Sequence, residues 1–249
     1  MTTTIYILWI RQLKRYVRSK SRIIGSLGQP LLFLLALGFG FGPIYARAGE
    51  GNYIDFIGSG AIAMAIIFTA MFTGIEIIWD KEFGFLKETL VAPVSRFEII
   101  VGRILGGATV SMIQGIIVFI IAYIVGFRVV NPYLLPIAFL FMFLIAMLFT
   151  SLGTAIAIKM EDMQAFPLIM NFIMMPMFFL SGALFPLTGL PKTITTIASI
   201  NPLSYGIDGL RITLSNQGHF GLLADFSVLI STTIILIVIG VYLFSRVEA

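Results

Sequence analysis

The chain has 249 residues, 59% of them hydrophobic and only 11% charged, with a formal net charge of +4 and a mean hydropathy of +1.03. A soluble domain of this length carries roughly 25% charged residues, so the composition excludes that class and selects an integral membrane protein. The absence of cysteine excludes a disulfide framework, thiolate chemistry and a zinc–thiolate cluster, and the modest positive charge follows membrane topology rather than nucleic-acid binding.

In lipid only helical bundles and closed barrels satisfy every backbone polar group, and long apolar runs select helices. An all-α integral membrane fold is therefore expected. Residues 5–22, IYILWIRQLKRYVRSKSR, combine Arg11, Lys14, Arg15, Arg18, Lys20 and Arg22 with Ile5, Leu8, Trp9, Leu13, Tyr16 and Val17 at helical spacing. A basic amphipathic helix with Trp and Tyr belongs at the cytoplasmic membrane surface; the plainer alternative is a disordered basic tail. The first long apolar run follows this basic stretch and has no small-residue cleavage site, so no cleavable signal peptide is expected.

Six spans are predicted, at about 23–42, 54–78, 102–126, 133–158, 165–185 and 223–244. With the N-terminus inside, 12 of the 16 basic residues fall on the cytoplasmic side, which places both termini in the cytoplasm. Between the second and third spans lies the longest charged interruption, residues 79–103, WDKEFGFLKETLVAPVSRFEIIVGR. Phe83, Leu86 and Leu90 share one face of a helix predicted at about 80–92, and Pro93 ends it. Such a helix lies against the bilayer or docks in a partner's groove, or is simply a solvated loop. Glu76 and Arg103, at the ends of neighbouring spans, are expected to snorkel or to pair with each other.

The third span carries Gly102 with Gly106, then Gly107, Ser111 and Gly115, small residues that let helices approach closely in lipid. Residues 186–222 are too long for a turn and too interrupted by Pro186, Pro191 and Pro202 for a span. Two short helices re-entering the outer leaflet fit them, with Asp208 and Arg211 spaced to pair. No G-x-x-x-x-G-K-[ST] occurs, so nucleotide hydrolysis by a P-loop is not expected of this chain. Ser181-Gly182 and the lone His219 raise the idea of an intramembrane serine protease, but no orienting acid or oxyanion loop accompanies them. The spans are nearly free of charge, which argues against a channel or secondary transporter with an ion relay. A bundle without its own energy source points to a partner that supplies work.

Three stretches resemble the permease subunits of type-2 ATP-binding-cassette exporters: DKEFGFLKETLVAPVSR (80–96) followed by Gly102-Arg103, FLSGALFP (179–186) and INPLSYGIDGLR (200–211). Where that family often has Thr after the loop glycine, this chain has Phe85 after Gly84. The resemblance implies a dimer, most simply a homodimer, of permeases in the cytoplasmic membrane, with two cytoplasmic ATPase subunits carrying the ATP and Mg. This chain would bind no cofactor or metal of its own. The coupling surface would comprise Asp80, Glu82, Phe83, Gly84, Leu86, Lys87, Glu88, Leu90, Pro93 and Arg96. Phe68, Phe72, Asn171, Met174, Met175, Phe178 and Phe179 are candidates for the substrate path. Ser181, Gly182, Pro186, Asn201, Pro202, Tyr205, Asp208 and Arg211 would form the outer gate. The likeness is greatest to the drug-resistance and nodulation-factor branch, whose cargo is amphipathic drugs or lipid-linked oligosaccharides; a polysaccharide exporter of the same family is the alternative.

Overall fold

The computed structural model describes residues 2–47, 52–85 and 93–246, whose regular elements are helices with no strand among them. Five helices are long and apolar enough to cross a membrane, and a shorter apolar helix accompanies them. The predicted coupling residues Leu86, Lys87, Glu88 and Leu90 lie outside the described residues.

Helix α1 (Thr2–Arg18) is followed by α2 (Lys20–Arg47), which contains Pro30 and Pro43. Helix α3 (Tyr53–Phe72) starts where the Asn52 side chain accepts the Ile54 N–H at 3.1 Å, an ordinary N-cap. Seventeen of its 20 residues are buried, so α3 is the central post and shows no apolar stripe. It packs against α2 and against α5, α6 and α9, whose bounds are Arg96–Val125, Leu135–Lys159 and Pro202–Ser215.

The predicted second span is two helices. Thr73 and Gly74 separate α3 from α4 (Ile75–Glu82). At this break a Cβ on Gly74 would stand 2.5 Å from the Gly153 carbonyl oxygen of α6, and one on Gly153 would stand 2.5 Å from that of Met71. Backbone meets backbone here, which only glycine permits.

Helix α5 begins at Arg96, ahead of the predicted 102, because Ser95 and Glu98 form a reciprocal capping box with bonds of 3.2 and 3.0 Å. A 3₁₀ turn, Pro132–Leu134, precedes α6. Helix α7 (Ala165–Phe179) covers the first part of the predicted fifth span and stops before 185. Two short helices, α8 (Lys192–Ile200) and α9, occupy the interrupted outer segment, and α10 (Leu222–Ser245) closes the described chain. Helices α2 and α10 turn large apolar side chains outward, among them Leu32, Phe39, Ile234 and Val238, as lipid-facing helices do.

Helix α1 does not rest on the bilayer alone. A Cβ on Gly102 would meet Leu8 Cβ at 3.0 Å and Ile5 Cα at 3.2 Å; one on Gly106 would meet Gln12 Cγ at 2.6 Å. Farther along, Trp9 Nε1 donates to Thr109 Oγ1 at 3.0 Å and the Tyr16 hydroxyl donates to Gln114. The contacts climb both helices together, so α1 runs alongside the first half of α5 in the same direction. Of the small residues of the third span, Gly102 and Gly106 thus receive the amphipathic helix, whereas Gly107 faces Thr73 and Thr150 and Gly115 faces Ile66 of neighbouring spans.

Candidate functional site

The densest chemistry lies at the end of the bundle that carries α4. Glu76 and Asp80 are four residues apart and share one helix face, with side chains only 3% and 5% exposed. A carboxylate removed from water costs several kcal/mol unless it is paired, and both are paired. Arg22 reaches Glu76 at 2.9 Å and Arg15 reaches it at 3.4 Å. Asp80 is bound by Arg103 of α5 and by Arg11 of α1 at 3.4 Å. Arg15 also lies over the Trp79 ring, 5.3 Å from its centroid. The neighbouring Lys81 ammonium donates to the carbonyls of Ile158 and, at 3.3 Å, Met160 at the C-terminal end of α6, where a cation complements the helix dipole. Glu76 and Arg103 thus find partners, but not each other.

This arrangement ties α4 to α1, α2, α5 and α6 at once. Tyr16 borders the cluster; burial pushes its phenol above the ordinary value despite the opposing Arg22, so it stays a neutral donor to Gln114. Directly after the clasp the chain becomes exposed. Glu82 is exposed, Phe83 is 66% and Phe85 53% exposed, and Gly84 takes φ +77°. Phe97, at the start of α5, adds another exposed ring.

Two clefts flank α2. The inner one, of about 430 Å³, lies between α1–α2 and α3–α4; Phe68, Phe72, Ile75 and Trp79 line it together with Arg22 and Gln29. The outer one, of about 630 Å³, is lined by Phe33, Leu37, Phe41, Tyr45, Phe179 and Pro186, among others, and is almost wholly apolar.

A family model described as ABC-2 type transporter matches residues 3–215. The chain belongs to that family. Among curated relatives, a transport permease ycf38 from Cyanophora paradoxa is 27% identical, over 98% of this chain and 88% of its own length. Another ycf38 from Pyropia yezoensis is 32% identical over 80% of this chain and 69% of its own. Nodulation protein J of Rhizobium leguminosarum bv. viciae is 28% identical over 86% of each. The chain is a multi-pass transport permease.

Within this ABC-2 permease, the residues singled out from the sequence separate into groups. Glu82, Phe83, Gly84 and Pro93 lie at or near the surface. Asp80 is turned inward, because a buried Arg103 needs its charge. Arg96 lies against the buried Phe244 ring, 5.7 Å from its centroid. Of the proposed path residues, Phe68 and Phe72 line the inner cleft and Phe179 the outer one. Met174 and Phe178 are core side chains, Met175 is half-buried and Asn171 is exposed on α7.

The outer group is a set of hydrogen-bonded staples. Asp208 accepts the N–H groups of His219 and Phe220 at 2.7 and 2.8 Å. Arg211 donates to the Gly182 carbonyl at 3.0 Å and sits 4.0 Å from the Phe56 ring centroid. The two residues therefore do not make the expected pair; each fastens α9 to a different loop. Asn201 caps α9 through Leu203 N–H at 3.0 Å and donates to the Met177 carbonyl at 2.6 Å, while Pro202 occupies the first turn of α9. Tyr205 donates to the Ser199 carbonyl at 2.8 Å and stacks on Phe220. Ser181 Oγ donates to the Phe178 carbonyl at 2.6 Å and accepts the Ala183 N–H. Its proton is turned to a carbonyl, and no hydrogen bond joins it to His219 among the described residues. The sequence reading missed the clasp in which Arg15 and Arg22 hold Glu76 while Arg11 and Arg103 hold Asp80. The i, i+4 spacing of Glu76 and Asp80 facing a run of arginines was the available signal.

Proposed function

We propose that the chain is the membrane-spanning permease of an ABC exporter that moves amphipathic drugs or lipid-linked molecules out across the cytoplasmic membrane. Two copies of a separate ATPase, carrying the ATP and Mg, would drive a homodimer of this chain, with both termini in the cytoplasm. The observation that carries this reading is the clasp on α4. The exposed Phe83 and Phe85 follow immediately on a helix bonded to α1, α2, α5 and α6. A partner that grips the stretch from Glu82 to Arg96 and moves it would displace four helices as one body, the rigid-body kind of switch. The two clefts beside α2, apolar and open, suit the body of an amphipathic cargo.

The test is co-purification from native membranes in mild detergent, wild type beside a variant with residues 83–90 scrambled. An ATPase of about 30–35 kDa, the size of an ordinary two-lobed domain, is expected with wild type only. Substituting Glu88 or Leu90 should then leave insertion intact and uncouple ATP hydrolysis from export. Absence of any ATPase from both preparations would overturn the reading.

A further inference from the structure

The inner cleft has a chemical polarity of its own. Its body is apolar, formed by Phe68, Phe72 and Ile75, while Gln29 and Arg22 supply hydrogen-bond donors. Among the described residues that line it, Arg22 is the only charged one, and none is a carboxylate. Arg22 is bonded to Glu76, yet that bond is replaceable. Glu76 holds a second arginine, Arg15, at 3.4 Å, so Arg22 can turn to another anion without stranding a buried carboxylate. The surroundings favour such an anion as well. Among the described residues, Arg11, Arg15, Arg22 and Arg103 converge on two acids, Glu76 and Asp80, so the cluster behind Arg22 carries an excess of positive charge.

We infer that the inner cleft takes an anionic amphiphile, its apolar body against Phe68 and Phe72 and its phosphate or carboxylate headgroup on Arg22, exchanged from Glu76. This deepens the export reading, on which it rests, by naming the charge of the cargo. Arginine suits the task because its planar guanidinium binds such headgroups through paired N–H donors. Glu76 stays neutralised by Arg15 throughout, so the exchange conserves the number of ion pairs.

Trp79 lines the cleft and the chain has only two tryptophans, so Trp9→Phe leaves Trp79 as the sole reporter. The purified Trp9→Phe permease, in nanodiscs of phosphatidylcholine, would be titrated with dodecyl phosphate, dodecyltrimethylammonium and inorganic phosphate, each below micellar concentration. Dodecyl phosphate should shift Trp79 emission saturably, and inorganic phosphate should not. Arg22→Gln should weaken binding roughly ten- to a hundredfold, the usual range for losing a hydrogen bond to a charged group, and Arg22→Lys, which keeps the charge but not the paired donors, should restore only part of it. Equal response to the cationic amphiphile, or an unchanged Arg22→Gln titration, would overturn the charge assignment and leave the cleft as a cargo site. An equal response to inorganic phosphate would overturn the amphiphile. If no amphiphile moves Trp79, the cleft itself loses its role. Should Arg22→Gln fail to insert, the comparison of the three probes on the Arg22-containing protein decides the matter.

Discussion

Replacing Asp80 by Asn removes the charge that holds Arg103. The Arg103 side chain is 5% exposed, and among the described residues its Nε has no acceptor, so Asp80 is the partner that neutralises it. Breaking a buried ion pair from one side costs about 3–5 kcal/mol, because the remaining charge stays buried. Glu76→Gln should cost less, about 1–2 kcal/mol, since Arg22 and Arg15 are 29% and 37% exposed and can return to water. The assay is reversible unfolding in mixed micelles, followed by tryptophan emission. A double variant, Asp80→Leu with Arg103→Met, should recover to within about 1 kcal/mol of wild type, because removing both charges leaves neither stranded. If Asp80→Asn unfolds within about 1 kcal/mol of wild type, or the double variant is no better than Arg103→Met alone, the clasp is not what holds α4.

Gly106→Val should lift α1 from its seat at a cost of about 1–3 kcal/mol, since even a Cβ there meets Gln12 Cγ at 2.6 Å. Faster tryptic cleavage within α1 would report it, and an unchanged digest would show that the groove is not the seat. Asn201→Ala loses both the cap on α9 and the bond to Met177, about 1–3 kcal/mol together. Asn201→Asp keeps the acceptor and should lose only part of this, which thermal melts of the two variants would separate. Asp225 is fully buried and neither carboxylate oxygen has a hydrogen-bond partner among the described residues. Asp225→Leu should therefore raise the melting temperature, by about 2–4 °C for each kcal/mol recovered; a fall would mean that the carboxylate has a role these contacts do not show.

The spans were legible because a hydrocarbon environment demands long apolar runs, and the outer helices because Pro191 and Pro202 punctuate them. Helix ends were less so. The start of α5 at Arg96 was written in Ser95 and Glu98, but hydropathy places an edge where charge stops, and here charge continues into the helix. The break at Gly74 was harder still. A glycine inside an apolar run looks like a span residue until Gly153, 79 positions later, is seen to press on it. The charged clasp was hidden for the same reason. Pair identity depends on which helices meet: adjacency of spans offers Glu76 either snorkelling or Arg103, whereas α1 and α2 bring Arg15 and Arg22 to it. Asp208 and Arg211 show the converse error, since their spacing suits a pair but the loops around them offer better-placed partners.

The seat of α1 on α5 also bears on how the molecule is made. Trp9 leaves the ribosome 100 residues before Thr109, its hydrogen-bond partner, and Arg11 precedes Asp80 by 69. During that interval the first helix has its cations and its apolar face, but neither the glycine groove nor the acids that will receive them. The nascent segment must wait at the bilayer surface, where anionic headgroups attract basic residues. In the proposed orientation its arginines would hold the N-terminus on the synthesising side while the first hairpin inserts. Arrival of α4 and then α5 converts that provisional lipid attachment into a protein one, so the proposed orientation would be decided before the partners that make it permanent exist.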